Sequence, residues 1–380
     1  MIQIGINIAV KGRDVLGTPV PPTPFTTTWT TTAPSEQIFL PYGAGTYSGT
    51  IDWGDGNTDV NDGSVTAHTY ATAGTYTVII DGDCTGWYFG NAGGSTYITS
   101  VVNWGQLQLG TDNTGYNFFG CPNLNLSSVQ GTLNLTGVTN LGGLFFECFA
   151  LTTINNINSW DTSAITSMAE MFYATAFNQA LSFNTLAVTD MSAMFADCLV
   201  FNQALSFDTS AVINMGSMFN GCSVFNQPLS FDTSAVTDMS GMFSNCSVFN
   251  QSLTFNTSAV EFMNRMFRDA TAFNQNISSW NTGAVTNMEG MFRNAPAFNQ
   301  NIGTWNVENV QGFSDFMLGK TPATFSTTNL NAIYNGWSTQ AVQPSLDISF
   351  GTAEYTAAAT AGRLVLTGTA LWTITDGGQV

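Results

Sequence analysis

Positive charge is scarce in this chain: 7 lysines and arginines stand against 25 acidic residues, for a formal net charge of −18. Such a balance repels phosphodiester backbones and anionic lipid headgroups, which argues against nucleic-acid and membrane-surface partners. Charge of either sign is low, at 8% of residues, so Asn, Gln, Ser, Thr and Gly must cover the surface, a composition that suits an extracellular β-rich protein. Histidine is nearly absent. With His68 alone, a Ser-His or Cys-His nucleophile pair has only one place to form, and no Gly-Lys-Ser/Thr phosphate loop occurs. A lone histidine beside a turn reads as structural. No segment approaches about 18 consecutive apolar residues, so no membrane insertion is expected. The six cysteines lack a CxxC spacing or a neighbouring histidine, which argues against zinc.

What the chain has in abundance is repetition. Phe-Asn-Gln begins at Phe177, Phe201, Phe225, Phe249, Phe273 and Phe298, in steps of 24, 24, 24, 24 and 25 residues. A fixed period of this size is the signature of a β-rich solenoid whose coils bury their apolar faces only against neighbours. In the same register Met191 and Met194, Met215 and Met218, and Met239 and Met242 form pairs three apart, each followed by a phenylalanine. That spacing predicts a short helical turn, capped by the side chain of Asp190, Asn214 or Asp238 immediately before it. Phe225, Leu229 and Phe231 alternate with other residues and predict a short strand. Asp208-Thr209-Ser210 and its copies supply side-chain hydrogen bonds for a tight corner. Asn202, Asn226 and Asn250 recur without variation and predict a buried amide ladder; an exposed, sugar-binding ladder is the alternative.

Cys198, Cys222 and Cys246 stand three residues after a repeat phenylalanine, in a slot that elsewhere holds Thr175, Ala270 or Ala295. A position accepting Cys, Ala or Thr is small and buried, and free cysteine behaves there as a small hydrophobe. Stacked coils place these sulfurs roughly 5 Å apart, so a disulfide is geometrically conceivable; reduced thiols are the reading adopted.

The Met-x-x-Met-Phe turn, cysteine slot and Phe-Asn-Gln strand together resemble the BspA-like leucine-rich-repeat surface proteins, a family of host-associated bacteria that is also found in bacteriophages. The likeness covers roughly residues 116–317. It implies a leucine-rich-repeat-like solenoid of about 24-residue coils and a role in extracellular recognition or adhesion.

Outside the coils, residues 1–24 combine alternating Ile2, Ile4, Ile6 and Ile8 with a proline run ending at Pro24. They read as an anchoring strand and linker, or equally as an ordinary strand of the same chain, and not as a secretory leader, since Lys11 and Arg13 follow the apolar part. Residues 25–83 read as a small antiparallel β module. Its Trp53-Gly54-Asp55-Gly56 and His68-Thr69-Tyr70 phrases resemble polycystic-kidney-disease-type (PKD) β-sandwich repeats. Asp52 and Asp55 are a candidate calcium pair there, set against the plainer role of satisfying turn amides. Residues 84–115 predict an N-terminal cap of the solenoid, and 318–380 a small α/β C-terminal cap with helices near Asn329–Tyr334 and Ala357–Leu366.

Catalytic groups are thin. Asp208 and Asp232 fall in equivalent corners of adjacent coils, as a glycosidase pair would, yet Asn184 and Asn256 fill the same position, which favours a turn-capping role. Arg265, Arg268 and Arg293 are three of the seven basic residues and predict one positive patch on exposed turns, suited to acidic glycans or a partner's carboxylates. Pairing with Glu261, Asp269 and Glu289 is the alternative. The expected function is therefore non-enzymatic: a phage fibre or spike component docked to other virion proteins through its N-terminal segment and recognising a host-surface glycan or protein. A bacterial adhesin and a polysaccharide-degrading enzyme are the other readings. No cofactor beyond calcium is implied, and self-association stays open.

Overall fold

A computed structural model describes residues 22–91 and 94–380; the alternating isoleucines lie outside the described residues. The chain is mainly β with few helices. In order it forms β1 (Phe25–Thr31), β2 (Glu36–Phe39), β3 (Thr50–Asp52), β4 (Thr58–Val60), β5 (Ala67–Tyr70), β6 (Gly74–Asp81), β7 (Cys84–Thr85), β8 (Ile98–Asn103) and β9 (Leu107–Gln108). After the repeats come α1 (Thr327–Trp337), β10 (Asp347–Ser349), α2 (Thr360–Gly368) and β11 (Thr373–Thr375).

The N-terminal module is a five-stranded sheet ordered β4-β3-β6-β1-β8, with β2 and β5 paired separately. Strand β1 alternates strictly, so Phe25, Thr27, Trp29 and Thr31 are buried and the threonines between them are not, the period-2 pattern of a pleated strand with one covered face. Its edge corrects the expected boundary at residue 83. Strand β8, read from sequence as part of the cap, pairs antiparallel with β1. On its other side Ser100 and Asn103 make parallel bridges to Asn125 and Gln130 of the first coil. The module's edge strand is therefore the first rung of the coils, which removes an edge that would otherwise template association.

From there successive coils lie over one another in register. Parallel bridges link Ser167 to Asp190, Asp190 to Asn214, Asn214 to Asp238 and Asp238 to Phe262. The backbone ladder runs somewhere the sequence did not place it. In one coil Met215, Ser217, Phe219 and Gly221 donate their amides to Asp238, Ser240, Met242 and Ser244 of the next, at 2.7 to 3.1 Å. The amides between them close three-residue turns, as Met218 N to Met215 O and Asn220 N to Ser217 O. The Met-x-x-Met turn is thus no helix: left-handed residues at Ser217 (φ 57°) and Gly221 (φ 76°) divert every second amide out of the turn and into the neighbouring coil.

The Phe-Asn-Gln stretch, expected to be the strand, pairs through side chains instead. Asn202 Oδ1 accepts from Asn226 N at 3.0 Å and Asn226 Oδ1 from Asn250 N at 3.0 Å, so an amide oxygen replaces the carbonyl a ladder would use. Gln227 and Gln251 add their Nε2 groups to the same asparagines. The ladder is half-buried to exposed and not interior as expected. Replacing Asn226 by Ala leaves the Asn250 amide without its acceptor and Gln251 with only the residue-226 backbone carbonyl, and should cost about 1–2 kcal/mol in a urea titration; Asn226→Asp, which keeps the acceptor, should cost less.

A third set of rungs is buried. Thr185, Thr209, Thr233 and Thr257 each donate a hydroxyl to the corner carbonyl of the next coil, Asp208, Asp232, Asn256 and Asn281, at 2.8 to 2.9 Å. Inside, Phe195, Phe219 and Phe243 stack at 5.8 to 5.9 Å, and Phe219 also lies 4.3 Å from Phe225 of its own coil. Each ring is fully buried, worth roughly 1.5–3 kcal/mol in burial alone.

The C-terminal segment closes the stack. Ser326 caps α1 by accepting from Asn329 N, and Leu330, Ile333, Tyr334 and Trp337 form its buried face, the i, i+3, i+4, i+7 stripe of an amphipathic helix. Met317 N donates to Ser349 O, which carries the coil ladder on to β10, itself paired in parallel with β11.

Candidate recognition surface

Two positions of each turn face outward with left-handed backbone. One follows the first methionine by two residues and the other follows the repeat phenylalanine by two. Gly143, Gly241 and Gly290 fill the first in three coils with φ near 60°, the conformation glycine adopts without a Cβ penalty. Tyr116 (φ 54°), Glu170 (φ 59°) and Arg265 (φ 59°) adopt it without that freedom, at about 1 kcal/mol each. Ala193 (φ 51°), Ser217 (φ 57°) and Asp315 (φ 59°) do the same at the equivalent positions, so the left-handed residue is a fixture of the turn that glycine would also suit.

Arg265, Arg268 and Arg293 are brought together as the sequence predicted. With Glu289, Gly290, Ser314 and Asp315 they line a cavity of about 70 Å³. The expected pairings hold only in part: Arg268 Nε bonds Asp269 at 3.0 Å, whereas Arg293 Nη1 bonds Asp315 at 2.6 Å. Arg265 has no carboxylate within ion-pair distance among the described residues, and Arg293 Nε is buried without a hydrogen-bond partner. Gly290 lies between the arginines, where a Cβ would make only ordinary contacts, 3.7 Å from Arg265 Cγ and 3.8 Å from Arg293 Cβ; its left-handed φ of 57° is what favours glycine there.

Sequence reasoning missed the other end of this face. The position directly after the repeat phenylalanine holds Phe119, Phe146 and Tyr173 in the first coils. Phe146 and Tyr173 stack at 4.3 Å with planes 2° apart, and Phe119 meets Phe146 edge-on at 4.9 Å. Carboxylates flank them. The Tyr116 hydroxyl donates to Glu170, and burial followed by that bond pushes its pKa up to about 12. The Asp197 carboxylate pushes the Tyr173 hydroxyl up likewise. The signal was an aromatic doublet, Phe118-Phe119, Phe145-Phe146 and Phe172-Tyr173, absent from later coils. A second feature without a sequence forecast is an apolar cavity of about 460 Å³ bordered by exposed Phe149, Leu199 and Val200.

Asp52 and Asp55 face their own turn. Asp52 Oδ1 accepts from Gly54 N at 2.9 Å, and Asp55 accepts from Asn57 N, Asn57 Nδ2 and His68 Nε2. Burial works to raise the Asp55 carboxyl, and the bonds from His68 and Asn57 outweigh it and hold the pKa below the ordinary range. His68 in turn stacks on Trp53 at 4.7 Å. Among the described residues no group of three or more His, Cys, Asp or Glu is placed to hold a metal ion. Asp208 and Asp232 each accept from the serine two residues on, Ser210 and Ser234. Those bonds lower both carboxyl pKa values, so both are ionised at neutral pH and share no proton.

Cys198, Cys222 and Cys246 are free and buried, each donating its thiol to a phenylalanine carbonyl of the preceding coil at 2.9 to 3.0 Å. Burial pushes Cys198 up to about 11 and Cys84 to about 12. Because these folded values lie above the unfolded one, the thiols contribute stability that is complete below pH ~8.5 and is lost as pH rises through the folded values. The urea midpoint should therefore fall steadily from pH 9 to 11, and Cys222→Ala should flatten that limb.

A family described as Mycoplasma protein of unknown function, DUF285, matches residues 139–231 and 230–329. The chain belongs to this family. The DUF285 match covers half of the chain: the coils from Thr139 onward, including all three arginines, Phe146 and Tyr173, but not the N-terminal module, Tyr116 or Phe119. Membership is consistent with the BspA-like surface proteins that the repeat resembles and fits a surface-associated protein. No helix among the described residues is long and apolar enough to cross a membrane. No curated protein and no solved structure matches the chain.

Proposed function

We propose that this DUF285 protein is a non-enzymatic recognition protein displayed on a surface, built as a leucine-rich-repeat-like solenoid fused to a PKD-like β module. The single observation that carries the recognition role is the pocket at Gly290, where among the described residues Arg265 has no carboxylate within ion-pair distance and the Arg293 Nε no hydrogen-bond partner, on a body of net charge −18. Guanidinium groups so placed suit a planar carboxylate. In support of a solenoid stand the parallel bridges, the asparagine rungs and the threonine rungs, each recurring once per coil. In support of the PKD-like module, its two motif phrases meet: His68 stacks on Trp53, and the Tyr70 hydroxyl bonds Trp53 O at 2.9 Å. A purely binding role is supported by the carboxylates of adjacent corners, each engaged by its own turn.

The carrier we propose is a phage fibre or spike; the family's description as a Mycoplasma protein favours a second reading, an adhesin on a bacterial envelope. Peptide mass spectrometry of purified virus particles and of cell envelopes from the source culture, with antibody-gold labelling, separates them. Stoichiometric recovery from particles with gold on a fibre or vertex supports the first, and recovery from envelopes alone replaces it with the second. Finding the chain only inside cells would contradict surface display altogether.

A further inference from the structure

One edge of the coils is apolar and open. Leu199, Val200, Val224 and Val248 stand one or two residues after the slot cysteines Cys198, Cys222 and Cys246, and all four are exposed, as is Phe149 after Cys148. The coils stack here as they do elsewhere: Ser223 Oγ donates to Leu199 O at 3.5 Å and Ser247 Oγ to Ser223 O at 3.0 Å. From Phe149 to Val248 the column therefore runs four coils, roughly 19 Å at about 4.8 Å per coil. A notch interrupts it. Phe195 and Phe201, like Phe219 and Phe225, stand six residues apart, but Phe172 and Phe177 only five. The missing residue leaves little Ala176 between Phe149 and Leu199, and the vacated space is the apolar cavity of about 460 Å³. Aliphatic groups suit such a pocket, and a contiguous exposed apolar surface marks a place where something docks.

Length, charge and reach select what docks. Ile2, Ile4, Ile6 and Ile8 alternate with other residues, so in an extended strand they share one face over roughly 20 Å at about 3.3 Å per residue, which matches the column. Lys11 and Arg13 follow them directly, and the column's carboxylates gather at one end: Glu147 and Asp197 precede Phe149 and Leu199 by two residues, where later coils hold Gly221 and Asn245. Neither carboxylate pairs with a cation among the described residues. The tether arrives at that same end. Pro24 lies against Gly105, whose Cβ would stand 2.3 Å from it, and Phe149 is two coils on from Thr96, by way of Asn123 and the Ala150 amide. The path along β8 and across those coils is roughly 30 Å, whereas the stretch from Ile8 to Pro22 extends up to about 46 Å. A second copy of the column would instead set carboxylates against carboxylates and a net charge of −18 against its equal. We infer that residues 2–8 of this same chain lie along the column, with their isoleucines against the valines and in the notch, Ile8 toward Phe149, and Lys11 and Arg13 beside Glu147 and Asp197. The N-terminal segment thus anchors to its own chain.

Limited trypsin digestion of the full chain, read by mass spectrometry as cleavage after Lys11, tests this. A seated Ile8 withholds the residues that the protease must grip ahead of Lys11, and cleavage then tracks the released population. The natural chain should be cut roughly tenfold more slowly than Ile4→Ser/Ile6→Ser and than Leu199→Glu/Val224→Glu. Gln3→Ser/Asn7→Ser, which changes the opposite face of the strand, should be cut like the natural chain, and cooperative urea unfolding certifies that the column variant folds. Protection should not change on dilution. Cleavage of the natural chain as fast as that of Ile4→Ser/Ile6→Ser would overturn the inference. So would protection that survives Leu199→Glu/Val224→Glu, which puts the strand elsewhere, or protection lost on dilution, which gives the column to the strand of a second copy.

Discussion

Replacing Lys320 by Met lowers stability by about 1–3 kcal/mol, the cost of leaving the buried Phe298 carbonyl without its donor; the Ala295 carbonyl keeps the Phe298 amide. Lys320 stands in the slot that cysteines fill in earlier coils, yet it is 1% exposed. Its Nζ donates to the Ala295 carbonyl, to Phe298 O at 2.5 Å and to Pro296 O at 3.4 Å, and lies 5.8 Å from the ring centres of Phe298 and Phe325. Where Cys198, Cys222 and Cys246 each donate a thiol to one carbonyl of the preceding coil, this longer amine reaches three. Burial pulls its pKa from 10.5 down to about 7, and both amine and ammonium can donate. Between those two values the unfolded chain holds the proton and the folded chain does not, so raising the pH favours folding. Stability should climb from pH 7 toward 9, where the buried thiols begin to oppose it, and Lys320→Met should remove the climb. A change under 0.5 kcal/mol with the slope intact would mean that the Phe298 carbonyl does not depend on this amine.

Deleting residues 208–231, one whole period that joins Phe207 to Asp232, leaves a folded protein, whereas deleting only 208–219 unfolds it. In the first case every rung finds an equivalent partner: the Thr185 hydroxyl meets Asp232 O in place of Asp208 O, and Phe195 stacks on Phe243. In the second, the turn ladder and the phenylalanine columns lose register together and buried faces meet polar ones. Cooperative urea unfolding with a slightly smaller m-value, in proportion to the surface lost, is expected for the full-period deletion. Similar behaviour of both deletions would contradict stacking in a fixed register.

The period, the cysteine slot and the corner caps were legible because each repeats in the sequence and each needs one residue type. The C-terminal helices were legible as stretches near Asn329–Tyr334 and Ala357–Leu366, which the structure places at Thr327–Trp337 and Thr360–Gly368. What the sequence hid was which stretch makes the backbone ladder. Met-x-x-Met reads as a helical turn because its methionines share a face, and nothing in Ser217 or Glu170 announces a left-handed backbone. Phe-Asn-Gln reads as a strand because its apolar residues alternate, while the decisive interaction, Asn202 Oδ1 to the amide of Asn226, is between side chain and backbone one coil away. Of the surface, the three arginines stood out as rare charges. The aromatic column did not, since phenylalanine is common in the core and only stacking assigns Phe146 and Tyr173 to the outside.

The most direct measurement of the recognition role is the binding of fluorescently labelled protein to intact cells from the source culture, counted by flow cytometry for the natural chain and for Arg265→Glu/Arg268→Glu. The account predicts saturable labelling of a subset of cells that the double variant abolishes while its urea midpoint is unchanged. Labelling that survives the double substitution, or its absence from every cell type offered, would contradict a surface protein that recognises its target through this pocket.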